Sequence, residues 1–479
     1  MACTTVLVGK KANIAGSTII ARNCDAEVCN VPVKFVVVPA KSEKQTFHSY
    51  VTGLDIPLPE NALRYQMAPF VDYKIHGQFG ECGINSENVA MSATESLYGN
   101  PQVLGLDPLV SNGIGEDALL SIVLPFIHSA RDGVQYLGKL IEKYGSHEGN
   151  GIAFSDKDEV WYMEIPTGHY WVAEKLDDDK AAVVANQVSL QDIDFDDSSR
   201  FMWAPGIREF VEENHINPDP NEFNFRHIFG TSNSRDRCYN TPRVWFGQRY
   251  LGHIAFSPTS NDLDFSFKPD RKLKREDVGY VLSSHYNETI YDPLADNTPK
   301  DDRTKFRPIS MARCAESHIL EIRNNVPAGI AGIAWINFAP TAFNPYVTFY
   351  ANANGTAPQY ENTTDAYDAD EAYWLSRTIA ALIQPSYNEM KSLLIGLDGF
   401  LPTADQLTNH LVHQTDLEAE KLSGQKLIQY LTKANAANAQ KVLDLTHKTV
   451  GNLVKHELTL SRLSFSIYTD RLQSLSKKS

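Results

Sequence analysis

Two short runs near the start of the chain restrict its fold more than any other feature. "TTVLVG" (4–9) and "STIIARN" (17–23) are β-branched stretches joined by "KKANIAG", a link with the Asn and Gly of a turn. Such runs form strands, and a short link of this kind folds them back on each other antiparallel. The end of the second strand then returns to the start of the first. That brings Arg22 and its neighbours beside Cys3. Chain ends are normally poorly ordered, but ladder hydrogen bonds would hold Cys3 rigidly at a strand end.

The pattern further along alternates between sheet and helix. "KFVVVPA" (34–40) is an apolar strand, expected to be buried on both faces. "GECGINSENVAMSATES" (80–96) gives a turn, a short strand over 89–91 and a polar end. From Glu116 two helices are expected to meet near Pro125 and to close at Gly145. Strands return from Gly151 and again over 329–352. From Asp370 the chain reads as helical, with a capping box "TADQ" at Thr403 and helical spacing of Val450, Leu453, Val454 and Leu458. "PQYENTTDAYDAD" (358–370) is the expected boundary before these helices. The order suits an α+β protein with helices packed over sheets, not regular βαβ units.

Composition narrows the partners. A net charge of −15 argues against nucleic acid or an anionic membrane surface. No apolar run approaches the roughly 18 residues that span a bilayer. The six cysteines lack zinc-site spacing and papain-like context, and none of the 14 histidines forms an HExxH pair, so no metal site or cofactor is expected. Cys29, Cys82, Cys238 and Cys314 read as free, buried thiols. The expected location is cytoplasmic.

A thiol needs a base to become a thiolate near neutral pH. A free α-amine, with a pKa near 7.7 to 8.0, can serve if the nucleophile is itself the first residue. Only Met1 and Ala2 precede Cys3. Arg22 would favour the thiolate by charge, and Asp25 would hold the freed amine or a substrate's ammonium group. Spacing alone favours the plainer reading, a surface Arg–Asp pair in a turn and a small apolar cysteine in a strand.

A wider resemblance shifts that balance toward catalysis. "ACTTVLVGKKANIAGSTIIARN", followed two residues later by Asp25, resembles the N-terminus of the dipeptidase A family of N-terminal nucleophile (Ntn) cysteine hydrolases. The likeness continues in order through "NSENVAMSATES", "GEDALLSIVLPFIHSARDGVQYLGKLIEKYG", "VVANQVSLQDIDFDD", "YNTPRVW", "YDPLADN" and "RPISMARCAESHI". It implies a four-layer αββα sandwich over 3–365, a removed prosegment at 1–2 and an added helical region over 366–479. It also implies hydrolysis of dipeptides that carry a free N-terminus, with broad side-chain preference and no cofactor. Through the distantly similar penicillin V acylases and bile salt hydrolases, Cys3 matches the nucleophile and its freed amine the base. Arg22 and Asp25 match the Arg-x-x-Asp pair, Asn186 an oxyanion-hole amide and Arg243 a distal pocket arginine. Thr94 and Glu95 compete for one further pocket position and stay outside this set.

The chain departs from the family in two ways. Cys24 stands where an acidic residue is usual, and the prosegment is so short that Ala2 must be cleaved after Met1. An acylase-like amidase and a non-catalytic, secernin-like binding protein are the alternatives on the same fold, and a homo-oligomer is left open.

Overall fold

The computed structural model describes residues 3–71, 77–254 and 257–461. Two antiparallel sheets carry the fold. The first has seven strands in the order Ser266–Phe267, Ala181–Val184, Thr4–Val8, Thr18–Asp25, Cys314–Ile322, Gly332–Phe338 and Val347–Tyr350. The second has six: Phe201–Trp203, Val172–Lys175, Val160–Ile165, Asn150–Ser155, Ala90–Ser96 and Cys82–Ile84. The expected hairpin forms, with Thr4 opposite Asn23 and Thr5 opposite Arg22.

The period-two alternation of the strands sorts their side chains between two layers. Leu7, Ile20 and Cys24 point into the space between the sheets, where they meet Ala153, Tyr162 and Val172 of the second sheet. Val6, Val8, Ile19 and Ala21 point outward against Trp245, Phe246, Val278 and Val281 of the helices Thr241–Tyr250 and Arg275–Leu282. Behind the second sheet, Met91, Ile152, Phe154 and Trp161 pack on the helices Glu116–Val123 and Ala130–Tyr144. The layers therefore run helix, sheet, sheet, helix, as the αββα expectation required. Burying both faces of both sheets explains why their strands read as almost continuously apolar.

The C-terminal helices lie against the far edge of the first sheet. In the long helix Gly424–Thr459, Asn435 accepts from the Tyr350 backbone N–H at 2.8 Å and donates to the Tyr350 carbonyl at 3.3 Å. That side chain satisfies an edge strand whose backbone would otherwise invite pairing with another chain. Arg323 of the sheet layer pairs with Asp416 at 2.6 and 3.0 Å.

Several local expectations are corrected. Val36–Val38 pairs with Tyr65–Met67 in a separate two-stranded sheet and is half-buried, because it lies outside the sandwich. The strand expected over 89–91 runs instead over Ala90–Ser96. "TADQ" is not a cap: its helix begins at Phe400 after Gly399, so Thr403 sits inside it. Val450, Leu453, Val454 and Leu458 do lie in one helix as their spacing predicts, with Leu453 buried and Val454 and Leu458 exposed. Cys82 and Cys314 are buried thiols as expected, whereas Cys29 and Cys238 are exposed. Among the described residues, no helix is long and apolar enough to cross a membrane.

Candidate active site

Cys3 lies at the head of the first strand, wholly buried, on the face that looks toward the second sheet. The hairpin register places Arg22 diagonally beside it and, one step further on, Cys24 opposite it. All five N–H groups of Arg22 have acceptors. Nη1 reaches Cys3 Sγ at 3.0 Å and the Thr94 carbonyl at 2.6 Å. Nη2 reaches the Glu81 carbonyl at 3.0 Å and Glu81 Oε2 at 2.7 Å, and Nε reaches Ser92 Oγ at 3.0 Å. A lysine has three donors at one point and no fork, so it would not reproduce this grip.

The electrostatics follow from burial around one fixed cation. Burial alone would raise the Cys3 thiol, but a hydrogen bond from Cys24 and the charge of Arg22 bring it well below its ordinary value. Cys24 moves the other way, well up, because it holds its proton in that hydrogen bond and is itself buried. At this position, therefore, a second thiol faces Cys3 across the hairpin. Burial raises Glu81 to about 8 against the pull of Arg22. Burial also pushes Glu95 well up, against Arg243; its Oε2 accepts from Thr5 Oγ1 at 2.7 Å.

Asn186 and Arg243 arrive from distant parts of the chain and meet the backbone of Cys3. Asn186 follows the Ala181–Val184 strand, which pairs with the strand that Cys3 heads. Its Oδ1 accepts from the Cys3 N–H at 3.2 Å, and its Nδ2 donates to the Ser96 carbonyl at 2.7 Å. Arg243 lies in the first turn of its helix, just after a π-helical turn over Asp236–Asn240. It donates to the Cys3 carbonyl, to Thr4 Oγ1 at 2.9 Å, to Asn186 Oδ1 at 2.8 Å, to Asn240 Oδ1 at 2.8 Å and to the Tyr239 carbonyl at 2.7 Å. Four of the five residues expected at the site therefore share one hydrogen-bonded cluster.

Asp25 stands apart. It is buried and ion-paired with Arg307, and its Oδ1 has no hydrogen-bond partner among the described residues. In a regular strand a residue three places from Arg22 turns to the other face, and Asn23, on that face, donates outward to the Leu282 and Ile309 carbonyls. Sequence reasoning missed Glu81, Ser92, Asn240 and Arg307. Glu81 carried one signal: a carboxyl inside the small, apolar stretch "GECGI". Thr94 and Glu95, left outside the set, both belong to the cluster's surroundings.

The Cys3 carbonyl and nitrogen are thus held by fixed donors and acceptors, while its sulfur faces a guanidinium. Such a thiol is prepared for nucleophilic attack. Comparison with known proteins agrees with this chemistry. The model of peptidase family C69 matches residues 2–397. A "Probable dipeptidase" of Latilactobacillus sakei is 45% identical over 466 residues, covering 97% of this chain and 97% of that one. "Dipeptidase A" of Lactobacillus helveticus is 38% identical over 472 residues, covering 97% and 98%. Among solved structures, penicillin V acylase from Agrobacterium tumefaciens matches at 12% identity and a TM-score of 0.31, covering 72% of this chain and 85% of that one. From the strand that Cys3 heads through the first two helices of the C-terminal region, this chain belongs to peptidase family C69.

Proposed function

We propose that this chain is a cysteine dipeptidase in which Cys3 is the nucleophile and its own α-amine, once freed, is the base. The observation that carries the reading is the Arg22 Nη1–Cys3 Sγ contact of 3.0 Å in a wholly buried setting. Removal of Met1 and Ala2 turns the Cys3 amide nitrogen into an amine. That amine takes the thiol proton, the sulfur attacks the substrate carbonyl, and the proton then passes to the departing amine of the second residue. Water cleaves the resulting thioester, with the same amine as base, and frees the first residue. Asn186 serves as oxyanion donor through its side-chain amide; one such donor is commonly worth about 3 to 4 kcal/mol. Arg243 keeps Asn186 and the Cys3 carbonyl in register.

The reading extends to substrates. Three buried carboxyls lie in the cluster around Cys3, Glu81 on Arg22, Glu95 on Thr5 and Glu116 on Ser96, whereas Asp25 is paired with Arg307 on the other face. An ammonium group is the natural partner for such a setting, and an acylated amine leaves a buried charge or proton unpaired. Kinetics on a dipeptide, its N-acetyl form and a pentapeptide test this. The expected order is efficient cleavage of the dipeptide and little of the others. Comparable turnover of the acetylated form would identify an acylase-like enzyme instead, and fast cleavage of the pentapeptide a general aminopeptidase.

A further inference from the structure

A line of buried side chains outside this mechanism leads straight to Arg22. Glu316 and His318 stand on Cys314–Ile322, the strand next to Thr18–Asp25, with His318 opposite Arg22 and Glu316 opposite Cys24. Both are 0% exposed, and Ser92, from the other sheet, is 2% exposed. His318 Nδ1 lies 3.1 and 3.2 Å from the two Glu316 oxygens, His318 Nε2 lies 2.8 Å from Ser92 Oγ, and Ser92 Oγ receives Arg22 Nε at 3.0 Å.

Chemistry sets the direction of each bond. The two Glu316 oxygens bracket Nδ1 at near-equal distance, the geometry of a ring N–H shared between two acceptors, so Nδ1 of His318 carries the ring proton. Nε2 of the neutral ring then accepts, so the Ser92 hydroxyl donates to it and turns a lone pair toward Arg22. Burial pushes His318 down toward this neutral form, against the opposing charge of Glu316. Arg22 and Cys24 face the ring from the neighbouring strand, Cys3 from beyond Arg22, and Glu81 and Cys82 from the second sheet. Cys82, Glu316 and His318 are close enough to hold a metal ion, yet both ring nitrogens already have partners in the line.

We propose that His318, oriented by Glu316 and acting through Ser92, is a positioning residue that fixes the rotation of the Arg22 guanidinium and so aims Nη1 at the Cys3 sulfur. Glu81 and Thr94 hold the two far nitrogens; Ser92 holds Nε, and its own hydrogen is directed by His318. The inference rests on the reading of Cys3 as nucleophile.

The test uses the mature enzyme, with Ser92→Ala, His318→Leu and His318→Gln. Three quantities are read: kcat and KM, the melting temperature, and the pH dependence of inactivation by iodoacetamide, with the modified peptide mapped by mass. Ser92→Ala removes a hydrogen bond to a charged group, so kcat should fall about ten- to a hundredfold with KM little changed. The ionisation midpoint of the Cys3 thiol should move up. His318→Leu leaves the Ser92 hydroxyl no acceptor and should fall as Ser92→Ala does; a wild-type result there would overturn the proposal. His318→Gln, by contrast, places an amide oxygen near the position of Nε2 and should stay close to wild type. A folded Ser92→Ala with wild-type kcat and an unmoved midpoint would overturn the proposal, as would a His318→Gln variant that falls as far as Ser92→Ala at an unchanged melting temperature. If inactivation of the wild type maps to a cysteine other than Cys3, the reading of the nucleophile itself fails.

Discussion

Glu81 offers the most demanding test of the site's electrostatics. Its carboxyl is 0% exposed, Oε2 accepts from Arg22 at 2.7 Å, and Oε1 has no partner among the described residues. Burial lifts it from the ordinary 4.5 to about 8. The folded state therefore keeps a proton that the unfolded chain has already released. Stability from this group is full below the unfolded value and is lost as pH rises through about 8. Over that interval the loss is roughly 5 kcal/mol. A second effect falls on Cys3, because one guanidinium then serves two anions. An ionised Glu81 and a Cys3 thiolate flank the same guanidinium and repel each other across it. Glu81→Gln keeps the shape and an acceptor for Arg22 but has no proton to lose. In urea denaturation at a series of pH values, the wild-type midpoint should fall between mildly acidic and alkaline pH, and the variant should fall less. Glu164, which burial also raises to about 8, retains part of the slope in both. At saturating substrate, the ratio of alkaline to neutral kcat should be higher in Glu81→Gln. Parallel pH slopes in the two proteins, together with equal ratios, would refute the argument.

The other predictions concern the nucleophile and its supports. Cys3→Ala should abolish hydrolysis while circular dichroism and the melting temperature stay close to wild type, and Cys3→Ser should be a poor enzyme because a hydroxyl is the weaker nucleophile. Intact mass of the purified protein should show a chain that begins at Cys3; one that begins at Ala2 would count heavily against the amine as base. Arg243→Met strips donors from Cys3, Thr4, Asn186, Asn240 and Tyr239 at once. A stability loss of at least about 3 kcal/mol, read from the denaturant midpoint, is expected along with loss of activity. Turnover should survive a chelator and be lost on alkylation; full loss with a chelator, reversed by added zinc, would point to another mechanism.

The amino-acid pattern by itself determined whatever depends on neighbours in the chain. The antiparallel return of Thr18–Asp25 onto Thr4–Val8 follows from two β-branched runs and a turn, so the meeting of Cys3 and Arg22 is legible in the sequence alone. The helices on either side of Pro125 and the closure at Gly145 follow equally from local signals. Local signals misled where tertiary position overrides them. "KFVVVPA" is apolar yet lies outside the sandwich, and the Thr403 capping motif falls within a helix that had already begun. Asn186 and Arg243 could be named only through family likeness, since 183 and 240 residues separate them from Cys3. Ser92 and His318 were not legible at all, and Glu81 showed only as a carboxyl inside an apolar stretch. Their roles exist because two sheets stack face to face and press side chains from three strands onto one guanidinium. A strand's sequence states which residues share a face, but not which residues of the opposing sheet that face will meet. Packing decides that, because the low-dielectric layer between the sheets penalises each charge or polar group left in it without a partner.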